Sequence, residues 1–184
     1  VARLDQAEIA EAAISLIELG SHEDLTLAAI ARSVGVTQPA LYHHVDGLDD
    51  VLRLVGLEIR ERLHRTLSEA VIGRSGADAV RSVAAAWRGF SQQHPQLYKA
   101  TDWHPIAGDA ELEAAVGRVL SVLAAALRGY SLDEASAAGA ALALRSALHG
   151  FCSFELGAGN PSVLGPDESF DAVITLFVAG LEAR

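Results

Sequence analysis

LAAIARSVGVTQPALYHHV, Leu27 to Val45, is the stretch whose reading decides the fold. It divides into two short helical segments joined by a tight turn. Two such helices cross closely, so a small residue must stand where they touch, and Ala31 does. The turn needs a residue at ease with positive φ, and Gly35 supplies it four positions later. Ile30, Val34, Val36 and Leu41 are apolar where the pair must pack on a third helix. Thr37 is placed to cap the second segment, with Pro39 tolerated in its first turn, where early N–H groups lack helical partners anyway. A helix presented this way lies in the major groove of DNA with its N-terminal residues at the base edges.

The flanks supply the rest of an all-α fold of about nine helices. Upstream, Asp5 and Glu8 are spaced as a capping box and Leu4 and Ile9 as a hydrophobic staple. Ile9, Ala12, Ala13, Leu16 and Ile17 form the stripe of a first helix, and Gly20 suits a left-handed stop. Thr26 caps the second helix. Downstream, Asp46-Gly47 is a turn, and a long helix over 48–72 carries Leu48, Val51, Leu52, Val55, Ile59, Leu63 and Leu67 on one side. GRSG, Gly73 to Gly76, marks a boundary. Helices are expected over 77–94, 110–128, 131–156 (capped by Ser131) and 167–182, with a broken stretch through QHPQLYKATDWHPIAGD and a loop at GAGNPSVLGP. The expected division is 1–47 for the helix-turn-helix, 48–72 for a connecting helix and 73–184 for a ligand-binding and dimerisation domain.

Composition bounds the function classes. The chain has 184 residues, 51% hydrophobic and 21% charged, which is globular and not disordered. Its longest apolar run, Val119 to Leu127, is too short to span a bilayer, and no signal peptide is read. A single cysteine, Cys152, forbids an intrachain disulfide and suits a reducing cytoplasm. There is no Met even at position 1, so the natural chain is expected to begin earlier, with room for a basic arm. The net charge is −10, and residues 1–50 carry two Arg against nine acids, a balance of −7. Affinity for phosphates rests on cations, so the composition opposes the motif. It keeps open a rival from another class: an all-helical small-molecule-binding protein or enzyme with a vestigial helix-turn-helix.

TLAAIARSVGVTQPALYHHVDGLDDVL resembles the DNA-binding domain of TetR-type transcriptional repressors. Thr26, Ile30, Ala31, Gly35, Val36, Leu41, Tyr42, His44 and Val45 match the pattern of that family. The resemblance implies that Tyr42 and His44 contact phosphates while Thr37, Gln38, Ala40 and His43 face bases. Gln can pair bidentately with adenine, and Ala can touch a thymine methyl. With Thr26, Arg32 and Pro39 these are the candidate DNA-binding residues. One departure stands out: the family's Lys is replaced by Leu48, followed by Asp49 and Asp50. Phosphate anchoring is therefore expected to be weaker than usual, and operator affinity more sensitive to salt or to an N-terminal arm.

WRGFSQQHPQLYKAT, Trp87 to Thr101, and LRSALHGFCSFELG, Leu144 to Gly157, are similar to the subgroup named for a Trp-His-Gly signature. His149 and Gly150 match it; Arg145 or Ser146 stands where the Trp belongs. An effector pocket after Ala77 would draw on Trp87, Phe90, Tyr98, Trp103, Phe151 and Phe154, with Asp102, His104 and His149 as polar handles. No basic cluster sits there, which disfavours a highly anionic ligand. The helix ending near Leu156 reads as apolar on most faces and is expected to be buried on all of them. With the last helix it would pack against a second copy as a four-helix bundle, through Leu142, Arg145, His149, Cys152, Phe170, Val173, Ile174 and Phe177. A two-fold dimer implies a palindromic double-stranded operator.

Catalytic and metal chemistry find little footing. None of the seven His pairs at i, i+4 on one helix, and no second Cys completes a zinc site. His149 and Cys152 are one helical turn apart but lack an orienting acid beside them. GAGNPSVLGP has neither the leading strand nor the following helix of a phosphate cradle. No cofactor, metal or membrane is expected, and the reading is a non-enzymatic regulator.

Overall fold

A computed structural model describes residues 4–20, 25–102, 106–157 and 164–183. Among the described residues there is no strand. Nine α-helices follow in order: α1 (Gln6–Leu19), α2 (Leu27–Ser33), α3 (Gln38–Leu41), α4 (Leu48–Val71), α5 (Gly76–Gln93), α6 (Pro95–Lys99), α7 (Ala110–Ala126), α8 (Glu134–Leu156) and α9 (Pro166–Glu182). A 3-10 turn, Ala100–Asp102, follows α6. The stretch expected to be broken thus holds a short helix of its own.

The helix starts follow local chemistry, with two corrections. The Asp5 side chain accepts from Glu8 N–H at 2.9 Å, and Glu8 Oε2 accepts from Asp5 N–H at 3.2 Å, the expected capping box. Gly20, however, has φ −140°, so α1 does not end in a left-handed residue. Asp133, not Ser131, caps α8, accepting from Ser136 N–H at 2.7 Å. A carboxylate in register with the third N–H beyond it displaces a hydroxyl two residues too early.

The chain divides into two compact units, 1–62 with 94–115, and 63–93 with 116–184. In the first, Ile9, Ala13, Ile14 and Ile17 of α1 are buried with Ile30, Leu41, Val45, Val51, Val55 and Ile59. α6 packs on α1, and 94–115 clusters with the N-terminal helices. Three polar contacts fasten this segment: His94 Nδ1 to Glu18 Oε1 at 2.7 Å, Arg60 to the Thr101 carbonyl at 2.8 Å, and Arg53 to Asp109. In the second unit α5 packs on α8 and α9. Val80, Val83, Ala84, Trp87 and Phe90 of α5 face Leu144, Leu148, Ile174 and Val178 in a common buried core. Gly129 lies against the start of α5: a Cβ there would meet Gly76 N at 2.6 Å, so only glycine fits.

Candidate nucleic-acid interface

The turn between α2 and α3 is built as the sequence requires. Gly35 sits at φ +72°. Val34 N–H donates to the Ile30 carbonyl at 3.0 Å, and Val36 N–H to the Ala31 carbonyl at 2.9 Å, which closes the chain tightly around Ala31. Leu41 and Val45 are buried, pinning the C-terminal side of α3 to the core. Thr37, Gln38, Pro39 and His43 are exposed and Ala40 and His44 half-buried. Tyr42 is 53% exposed, a large apolar ring left in water by a unit that buries its other big side chains here. Of the residues the sequence assigns to DNA at α3, Thr37, Gln38, Pro39, Tyr42 and His43 are therefore open to solvent.

The two threonines behave differently. Thr26 caps α2, its hydroxyl accepting from Ala29 N–H at 3.1 Å. Thr37 occupies the cap position of α3 with extended backbone, φ −82° and ψ 149°, but its side chain makes no cap hydrogen bond. The expectation that Thr37 caps through its hydroxyl fails: Pro39 has no N–H at the second helical position, and Ala40 N–H at the third donates to the Thr37 backbone carbonyl at 2.9 Å. The hydroxyl is left for an acceptor or donor outside the helix.

The electrostatics are sparse. Arg32 is exposed at the end of α2. Arg53 is turned inward to Asp109 and to Glu111 at 2.5 Å. These two carboxylates, hydrogen-bonded to it, hold its guanidinium well above the ordinary range. Asp109 in turn is held down to about 2, first by the Arg53 hydrogen bond and then by the Leu112 N–H. Arg62 bonds Glu11 at 2.5 Å and Glu58 at 2.9 Å. Arg60 is buried and donates to the Gly56 and Thr101 carbonyls, both at 2.8 Å. Asp50 has a structural role, accepting the Asp46 N–H at 3.2 Å where α4 begins.

In the second unit several expected roles change. α8 buries one stripe, Ala141, Leu144, Leu148 and Cys152, and exposes Ala135, Ala138, Gly139, Leu142 and Ala143. It is not buried all round in one chain. Cys152 and Ile174 point into the protomer core and so do not face a copy. Phe154 is 70% exposed, because it lies about 200° around the helix from Cys152. Phe151 and Phe170 meet edge to face at 5.1 Å, with the Arg88 guanidinium 5.6 Å and 4.9 Å from their centroids. Phe170 thus packs within the protomer. Arg88 also bonds Glu155 at 2.5 Å and Asp167 at 2.8 Å, which ties α5 to α8 and α9 and holds the guanidinium above its ordinary range. No pattern in the sequence singled out Arg88, whose partners Glu155 and Asp167 lie far along the chain.

Trp87 and Phe90 are buried on α5, and Tyr98 is buried on α6 in the first unit. Trp103 and His104 lie outside the described residues. An open groove of about 610 Å³ runs between α8 and α9, lined by Ala135, Gly139, Ala143, Leu176, Phe177 and Gly180 among others. None of the expected effector residues lines it; Phe177 of the expected dimer set does. Among the described residues no group of three His, Cys, Asp or Glu is placed to hold a metal, and no helix is long and apolar enough to cross a membrane.

Comparison with known proteins agrees with this geometry. Residues 9–52 match the model of bacterial regulatory proteins, tetR family, and residues 80–177 that of the tetracyclin repressor-like, C-terminal domain. The chain is similar to an uncharacterized HTH-type transcriptional regulator of Mycobacterium tuberculosis, 34% identical over 184 residues, covering 100% of this chain and 84% of the relative. It is also similar to an uncharacterized HTH-type transcriptional regulator of Bacillus subtilis, 28% identical over 150 residues, 80% of this chain and 77% of that one. Among solved structures, TetR from Acinetobacter baumannii AYE superposes with a TM-score of 0.71 at 19% identity, covering 98% of each chain.

Proposed function

The chain belongs to the tetR family of bacterial regulatory proteins, and we propose that it is a ligand-responsive transcriptional repressor, a homodimer on a palindromic operator, released by a small, largely apolar effector. The observation that carries this reading is the outward set at α3: Thr37, Gln38, Tyr42 and His43 exposed above a buried Leu41 and Val45. Thr37, Gln38, Ala40 and His43 face bases in this reading, Tyr42 and His44 take phosphates, and Thr26, Arg32 and Pro39 flank them. Residues 1–47 read DNA, 48–72 connect, and 73–184 bind effector and partner. The C-terminal half is of the Trp-His-Gly subgroup.

The dimer reading draws support from α8 and α9. Leu142 is 52% and Leu176 75% exposed, beside Ala135, Gly139, Ala143 and Gly180, whose small side chains let a second helix approach closely. Leu142, Arg145, His149, Val173 and Phe177 remain the contact candidates. The effector reading is supported by the large apolar side chains Trp87 and Phe90 on α5, with His149 as a polar handle. Effector binding acts through α4, whose first part lies in one compact unit and whose end lies in the other. A ligand shifts the operator-bound population only by its differential affinity for the two states. The protein works in the cytoplasm and has no enzymatic role in this scheme.

A gel-shift titration of the full chain on the DNA upstream of its own gene separates this from the rival helical binding protein or enzyme. A sequence-specific shift that weakens with salt supports the repressor. No such shift at any salt concentration leaves the helix-turn-helix vestigial.

A further inference from the structure

The Gln6 side chain crosses from the first turn of α1 to the turn that follows the reading helix, its Nε2 donating to the His44 carbonyl at 2.8 Å. We infer that Gln6 is a positioning residue for sequence recognition, holding α3 at the angle from which Thr37 and Gln38 reach the bases. This rests on the chain being a sequence-specific DNA binder.

α3 has little means of setting its own direction. It is four residues long, too short to be a self-sustaining helix, and has no side-chain cap at its N-terminus. Its N-terminal side follows the tight turn from α2, and its C-terminal side is held in the core. Leu41 and Val45 are buried, and His44 N–H and Val45 N–H both donate to the Leu41 carbonyl, at 2.8 and 3.0 Å. Two apolar side chains on one side of a short helix resist its withdrawal from the core but resist rotation poorly, because apolar contact is non-directional. A hydrogen bond is directional. The Gln6 bond adds a directional anchor at the residue just before Val45, and a small swing there is carried to the exposed N-terminal end. The anchor is itself fixed: the Asp5–Glu8 capping box closes the turn from which Gln6 projects. Gln6 is exposed, and it buries no apolar surface whose loss would unfold the unit. Its amide is neutral, so its removal leaves the charge facing DNA unchanged.

The test uses the full chain and a duplex that the wild type selects from a random-sequence pool, with a shuffled duplex of equal length beside it. Gln6→Ala removes the side chain; Gln6→Met keeps its length and removes the donor. Both variants are expected to bind the selected duplex about 3- to 10-fold more weakly, the size of one hydrogen bond. Affinity for the shuffled duplex should stay within about twofold, since phosphate contacts set it. The thermal midpoint should stay within about 2 °C of the wild type, as for an exposed substitution. Unchanged affinity for the selected duplex, with or without a lowered midpoint, overturns the inference, and so does equal weakening on both duplexes. A wild type that selects no sequence overturns the DNA-reading premise and the inference with it.

Discussion

Thr26 and Thr37 hold the same position, each just before a short helix, and do different things. Thr26 spends its hydroxyl on Ala29 N–H, whereas Thr37 makes no such bond. Thr26→Ala should therefore cost about 0.5–2 kcal/mol of stability in urea unfolding. Thr37→Ala should cost little stability and weaken operator binding instead. Tyr42→Ala should weaken binding to all sequences alike, while Gln38→Ala should relax preference at one base position, costing about 1–3 kcal/mol there in competition titrations. If both leave binding unchanged, α3 is not the reading element. Charge adds a further expectation. With Arg53, Arg60 and Arg62 turned to partners inside their own unit, Arg32 is the exposed cation on α2 nearest in sequence to α3. Few neutralised phosphates mean modest affinity with a shallow dependence on salt. That replaces the greater salt sensitivity suggested by Asp49 and Asp50 alone.

At the scale of elements, the polar contacts that join helices carry predictions of their own. Arg53 grips Asp109 and Glu111, joining the first part of α4 to the start of α7 inside the first unit. Asp109 is held to about 2 in the folded chain against 3.8 ordinarily, so its contribution is complete above the ordinary value and is lost as pH falls toward the lower one. The acid side of the wild type's stability profile should therefore fall more steeply than that of Asp109→Asn, as read by urea midpoints across that range. Arg88 bonds Glu155 and Asp167 and lies against the Phe151–Phe170 pair. Glu155→Ala leaves a mostly buried cation short of its main partner and should destabilise by about 1–3 kcal/mol. Periodicity revealed α1, α4, α5, α8 and α9 because each has one long apolar stripe. It could not reveal α6, five residues within a Pro- and His-punctuated stretch, nor the bonds of Gln6 to His44, Arg60 to Thr101 and Arg88 to Asp167, which span 38 to 79 residues. Such contacts leave no local pattern.

For the molecule as a whole, the helix-turn-helix was legible because it is a local construction, with its turn and apolar positions all within twenty residues. The assembly was less so, since an exposed apolar face does not specify what covers it or in what geometry. In the proposed dimer, Leu142→Glu or Leu176→Glu places a charge at the contact. Either should shift the chain from dimer to monomer in sedimentation, with loss of tight operator binding while binding to a half-site persists. A chain that stays dimeric with both changes uses another face. The central claim is that the exposed α3 surface reads DNA sequence, and one equilibrium measurement tests it most directly. Fluorescence-anisotropy titration of the full chain compares a duplex selected from a random pool with its shuffled counterpart at physiological salt. The account predicts that the selected duplex binds at least about 10³-fold more tightly. A ratio near one, with protein shown by circular dichroism to be folded, would contradict it.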